Sequence, residues 1–166
     1  MVAQPAGLNW ARDAIDRTAR QFDCDDRTAA TIWWYMNSST FFEHALPNPD
    51  VPAVRARLDT IVRARLDTIV AGLAAETDVT AASLKAIATD SLANRALERA
   101  DADTATEIAA QLGLPAPRFV DIEGRAFVRR ASCCLIYRSP AGEMCISSPS
   151  FFCVRCEADA ARLAAS

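Results

Sequence analysis

The sequence predicts a mainly α fold with a small β-hairpin region, an α+β arrangement. A helical body of about five helices precedes a C-terminal cysteine-rich segment. Three observations predict this. Apolar residues recur at helical spacing over residues 8–112, short extended-type runs follow LPAPR at 114–118, and five of the six cysteines fall in the last 34 residues. At 166 residues the chain has one-domain length. The expected division is a helical body over 1–117 and a cysteine-rich segment over 118–166, packed as one compact domain.

The elements follow in order. Over residues 8–21, Trp10, Ala11, Ala14, Ile15, Thr18 and Ala19 share one helical face. Asp25 or Asp26 is placed to cap the next helix, because a carboxylate accepts from the free amides of a first turn. That helix, about 27–45, carries Ile32, Trp33, Trp34, Met36, Phe41 and Phe42 and is expected at the centre of the core. Pro47 and Pro49 then interrupt, since proline offers no helical N–H.

A third helix, about 51–75, runs through a duplication: RARLDTIV occupies 55–62 and again 63–70. Eight residues turn a helix by ~800°, about 80° past two full turns, so the copies cannot present identical faces. A continuous stripe is nevertheless expected from Leu58, Ile61, Val62, Leu66, Ile69, Val70 and Leu73. Thr80 is placed to cap a fourth helix reaching about 99, with Leu84, Ile87, Ala88, Leu92 and Leu97 inward. A fifth spans about 103–112 and ends at Gly113. Beyond it, Phe119, Val120, Ile122, Phe127 and Val128 suit strands joined by a turn in IEGR. Residues 133–138 (CCLIYR) and 144–146 are further strand candidates, and 157–164 returns to helical composition.

Composition narrows the function. A net charge of −3 gives no support to nucleic-acid binding through bulk charge. No apolar run approaches the ~20 residues of a transmembrane helix. The opening MVAQPAGLNWARDAIDR lacks a basic stretch followed by an apolar one, so no secretory signal is expected. The expected location is the cytoplasm, with peripheral association at the inner membrane face left open. Trp33-Trp34-Tyr35 suits core and interface better than a cofactor platform, because aromatics dominate cores. The polar run Asn37–Thr40 is explained by side chains bonding back to helix carbonyls. His44, the single histidine, sits near a helix end and is read as a cap or surface residue.

Cys24 stands alone, whereas Cys133, Cys134, Cys145, Cys153 and Cys156 cluster. In a reducing compartment, clustered thiols bind metal or do redox chemistry more often than they form bridges. Cys153-Val-Arg-Cys156 is a CxxC pair, which by itself suits half a zinc site, a cluster clamp or a redox dithiol. The adjacent pair is more demanding. On a regular strand the two sulfurs would face opposite sides, so both can serve one centre only if the backbone turns sharply there.

Arg129-Arg130, Cys133-Cys134-Leu135-Ile136-Tyr137-Arg138, Pro140, Gly142 and Cys145 resemble the C-terminal signature of FhuF-type ferric siderophore reductases. The resemblance implies a cytoplasmic [2Fe-2S] protein that reduces ferric iron held by hydroxamate siderophores. It implies Cys133, Cys134 and Cys145 as three cluster ligands. The family's pattern of two adjacent cysteines, ten residues, then CxxC departs here at the fourth ligand, which falls on Ser148, followed by Pro149. Cys153 or Cys156 could supply the missing thiolate, Ser148 could ligate as alkoxide, or the cluster is lost and the fold kept. Two phenylalanines, 151 and 152, precede Cys153 and would shield a cluster, which favours Cys153 over Cys156.

Residues 118–156 hold six arginines against three acids, leaving +3 there and −6 elsewhere within the total of −3. Such a surface would attract an anionic donor protein or ferric complex and raise a cluster's potential. Arg129, Arg130 and Arg138 are the expected docking or charge-tuning residues. The partners implied are a ferric siderophore and an electron donor. Two rival readings remain: a zinc-stabilised structural or interaction module, and a thiol redox protein built on the CxxC pair. The latter lacks a βαβ context.

Overall fold

The computed structural model describes residues 9–45, 58–98, 102–122 and 124–140. Among these lie five α-helices and one two-stranded antiparallel sheet, as the sequence predicts. Helix α1 is Trp10–Phe22 and α2 is Asp26–Ala45. A π-helical turn, Leu58–Val62, leads into α3, Arg63–Glu76. Helix α4 is Ala81–Glu98 and α5 is Ala102–Gln111. Strands β1, Phe119–Ile122, and β2, Arg125–Val128, precede a 3-10 turn at Ile136–Arg138.

The caps are those the sequence suggests. Asp25 Oδ1 accepts the Thr28 amide at 2.7 Å, and Thr80 Oγ accepts the Ser83 amide at 3.1 Å. Gly113, at φ +65°, ends α5: its N–H donates to Ala110 O at 3.2 Å and that of Leu114 to Ala109 O at 2.9 Å. This is the paired closure that a left-handed residue allows. Asp23, at φ +48°, ends α1 in the same left-handed conformation, and the Cys24 amide returns to Ala19 O at 3.2 Å. Cys24 is thereby turned onto the edge of the core, partly buried.

Helix α2 is central. It packs most extensively on α4 and then on α1, with Trp34 and Phe42 fully buried. Trp34 Nε1–H donates to Leu84 O at 2.8 Å, so burying the indole leaves no orphaned donor. Asn37 bonds back to Trp33 O at 2.7 Å, as expected for the polar run. Ser38 and Ser39 do more than that. The Ser38 and Ser91 hydroxyls lie 2.6 Å apart, and Arg95 Nε donates to Ser39 Oγ at 3.1 Å. The run is the polar part of the α2–α4 seam. His44 is exposed, with Nδ1 2.7 Å from Thr40 O, consistent with its reading as a helix-end residue.

The duplicated stripe is corrected at Ile61, while Val62 is half-buried and the burial of Leu58 lies outside what is described. Leu66, Ile69, Val70 and Leu73 are buried, but Ile61 is 53% exposed, although Ile69 is its repeat equivalent. The eight-residue offset rotates the copies apart, and the π-helical turn adds a further change of phase. On the other face of α3, Gly72 lets the helix approach Trp10; a Cβ there would stand 2.6 Å from the indole.

The hairpin pairs Phe119 with Val128 and Ile122 with Arg125. Gly124, at φ +78°, donates its N–H to Asp121 Oδ1 at 2.9 Å and closes the turn. Strand β2 rests on α4, and the Arg129 amide bonds to Arg118 O at 2.8 Å, extending the pairing one step toward the cysteines.

Candidate metal centre

The chain leaves the hairpin at Arg129 and meets α4 at Asp90, a carboxylate with 3% exposure in the middle of that helix. Asp90 Oδ1 accepts the Ala131 amide at 3.0 Å. Its Oδ2 accepts the Ser132 hydroxyl at 2.6 Å and the Ser132 amide at 3.1 Å. The guanidinium of Arg130, itself 5% exposed, supplies the opposite charge, with Nε 3.8 Å from Oδ2. The other side of Arg130 lies over the Tyr35 ring, 4.6 Å from its centroid, joining α2 to the same point. Arg118 reaches across to Arg130 O at 3.4 Å. A buried carboxylate is costly unless paired and bonded; this one is both.

Cys133 and Cys134 come next. Cys133 is half-buried, Cys134 is buried, and they are not bonded to each other. Residues 133–138 are a strand candidate in the sequence, and the structure corrects this. Leu135 sits at φ +60°, which breaks extended backbone, and Ile136–Arg138 form the 3-10 turn. The left-handed residue falls one position after the pair, so it redirects the chain beyond Cys134 rather than between the two cysteines. It also aims the Leu135 N–H at Cys133 Sγ, 3.5 Å away. An N–H directed at a ligand sulfur is one of the contacts that tune bound iron. Ser139 Oγ and N–H both return to Ile136 O, at 2.8 and 3.0 Å, locking the turn.

Of the three arginines expected to dock partners or tune charge, Arg129 and Arg138 are exposed. Arg130 is buried against Asp90 and Tyr35, which removes it from a docking surface and leaves it a local charge. Arg138 lies near Asp25, whose carboxyl is held below the ordinary range. Its hydrogen bonds to Thr28 are the main cause, and Arg138 and Arg27 add to them. Cys24 is a different kind of thiol. Burial, then the neighbouring Asp25, Asp23 and Asp26, push its pKa upward, away from thiolate chemistry.

Cys145, Cys153, Cys156 and Ser148 lie outside the described residues, as do the strand candidate at 144–146 and the helical tail at 157–164. Among the described residues no three His, Cys, Asp or Glu side chains converge as metal ligands. The described part of the centre is therefore two thiols, a sulfur-directed amide and the clamp that precedes them.

Residues 130–147 match the FhuF 2Fe-2S C-terminal domain. The resemblance read from the sequence holds over that stretch, which opens on Arg130 and takes in Cys133, Cys134 and Cys145. No curated protein and no solved structure gives a significant match. Sequence reasoning missed Asp90 and the part Tyr35 plays beside it. The available signal was a carboxylate in Ala-Thr-Asp-Ser, within the apolar spacing of Leu84, Ile87, Ala88 and Leu92.

Proposed function

We propose that the protein is an FhuF-like [2Fe-2S] protein that reduces ferric siderophores in the cytoplasm and so releases Fe(II). The observation that carries the reading is the coincidence of the family match with the thiol pair, which has a left-handed turn and a sulfur-directed amide. The ligands proposed are Cys133, Cys134 and Cys145, with Cys153 or Cys156 in place of the thiolate missing at Ser148. The residues described fit such a group: soft sulfur ligands suit iron–sulfur chemistry, and the Leu135 N–H is directed at one of the sulfurs. When bound, the cluster supplies one-electron transfer, from a cellular reductant to chelated Fe(III). Hydroxamate oxygens hold Fe(II) weakly, so that electron is what frees the metal.

The chain's own residues supply orientation and electrostatics, and no acid, base or nucleophile is needed. Cys134 lies on the buried side and Cys133 on the half-exposed side, so the pair spans the boundary between core and solvent. Arg130 is buried beside the pair with Asp90 as its counter-charge, and Arg129 and Arg138 remain outward for an anionic donor or ferric complex. No described helix is long and apolar enough to cross a membrane.

The zinc module shares the thiolates but not the match, which is to a 2Fe-2S domain. Anaerobic purification followed by iron, sulfide and zinc analysis separates the two. The proposed function requires iron and sulfide in equal amounts, a red-brown spectrum bleached by dithionite, and Fe(II) release from a ferric hydroxamate. A colourless protein holding zinc would sink it.

A further inference from the structure

Asp90 is the only side chain of the helical body whose hydrogen bonds, among those described, converge on the two residues just before Cys133. All of its donors come from Ala131 and Ser132, with Arg130 as counter-charge. Successive amides of a turn form a natural anion cradle. Here the anion is the protein's own and is fixed to a helix. We propose that Asp90 is a positioning residue. It holds the loop entering Cys133-Cys134 in its ligand-presenting form before any metal arrives, and resting on the iron–sulfur reading it sets how tightly the pair binds thiophilic metal.

A contribution to stability alone accounts poorly for this arrangement. A buried ion pair is commonly neutral for stability relative to an apolar substitute. What it does supply is geometry: three donors from consecutive residues reach one carboxylate only when the backbone takes one path. Immediately beyond, Leu135 is fixed at φ +60° and Ser139 closes the turn, so the thiol pair is held from both sides. The device joins three elements, because Tyr35 of α2 covers the arginine that neutralises Asp90 of α4. Partners that orient metal ligands typically change affinity by ~10–100-fold when removed.

The test uses the metal-free full-length chain and two readouts: amide exchange at Ala131 and Ser132, and titration with Cd(II), followed by its thiolate absorption. Asp90→Ala should speed exchange of both amides by at least ~10-fold and weaken Cd(II) by ~10–100-fold, while Leu92 stays protected. Asp90→Asn keeps the shape but offers one acceptor fewer, and should fall between. Should Asp90→Ala fail to fold because it strands Arg130, Ser132→Ala gives the same effects in smaller degree with no buried charge exposed. Ser38→Ala removes a buried bond of the same α2–α4 seam without touching the loop, and should leave Cd(II) affinity unchanged. Unchanged exchange in the Asp90 and Ser132 variants, or an equal loss of affinity in Ser38→Ala, overturns the proposal. A wild type that binds Cd(II) in an Asp90-dependent way but takes up no iron and sulfide supports the positioning role and removes the proposed function instead.

Discussion

Leu135 offers a sharp perturbation, because a leucine at φ +60° is a backbone oddity with a calculable cost. The left-handed region costs an ordinary L-residue roughly 1–2 kcal/mol, and a β-branched one more. Leu135 is half-buried, so its side chain returns about 1 kcal/mol of that through apolar burial. Replacement by Asn relieves most of the strain and loses most of the burial, for a net change of about zero. Replacement by Gly relieves all the strain but adds ~0.5–1 kcal/mol of chain entropy to the lost burial, for a net loss under ~1 kcal/mol. Val keeps apolar character and worsens the strain, for a loss of about 1–2 kcal/mol. Pro fixes φ near −65° and removes the N–H aimed at Cys133 Sγ, so it should abolish both the turn and metal loading. The assay is urea unfolding of the metal-free chain beside iron and sulfide content after reconstitution. The expected order is Leu and Asn alike, then Gly, then Val, with Pro last. Leu135→Val as stable as wild type, or Leu135→Pro still loading iron, would refute the reasoning.

Further outcomes are expected. Cys153→Ala should lose the visible chromophore and Cys156→Ala retain it, read by absorption after anaerobic purification; Ser148→Cys should raise cluster occupancy by restoring the family spacing. Gly72→Ala should destabilise by about 1–3 kcal/mol in urea unfolding, because its Cβ meets Trp10 at 2.6 Å, and a second change, Trp10→Phe, should recover part of the loss. Asp25→Ala should cost about 0.5–2 kcal/mol at neutral pH. Its carboxyl is depressed in the folded chain, so the stability it adds is present above the ordinary carboxylate value and is lost as pH falls through the lowered one; the gap between wild type and variant should close in acid. The Cys24 thiol is pushed up, so alkylation followed by peptide mass analysis should label it slowly at neutral pH, and Cys24→Ser should leave iron content unchanged.

The elements that the sequence reveals are those with local causes. Asp25, Thr80 and Gly113 act within a turn of the helices they begin or end, and all three do what their residue types suggest. The IEGR turn is equally local. Ile61 shows where periodicity stops: a repeat that is perfect in letters is rotated in space, and only the neighbouring helices decide which copy is buried. The CCLIYR segment has apolar and aromatic residues in strand-like order, yet Leu135 takes a left-handed turn, between a loop bonded to Asp90 and a 3-10 turn packed on α2. Nothing in that segment's own letters competes with a strand. The cysteine pair is legible as a motif because the family signature is short and contiguous. Asp90 was not, because its partners lie about forty residues away and no spacing rule joins them.

That separation bears on how the charge of the C-terminal segment should be understood. By sequence, six arginines over 118–156 form one excess, available to a partner as a field. In the structure Arg130 is drawn inward to a carboxylate of the helical body, and Arg138 lies near Asp25, just before α2. The acids of the body and the arginines of the cysteine segment are therefore partly each other's partners, and the excess presented outward is smaller than the count suggests. A compensated Asp90–Arg130 pair near the thiols also contributes little net charge to a cluster, so charge tuning falls chiefly to the sulfur-directed Leu135 amide. Long-range attraction of an anionic partner would then rest on exposed residues such as Arg129. Replacing Arg129 should lower the association rate and its salt dependence while leaving the chromophore unchanged, whereas replacing Arg130 should disturb the chromophore itself. Measured as donor-to-protein electron-transfer rates at two ionic strengths beside visible spectra, equal behaviour of the two variants would defeat this division of labour.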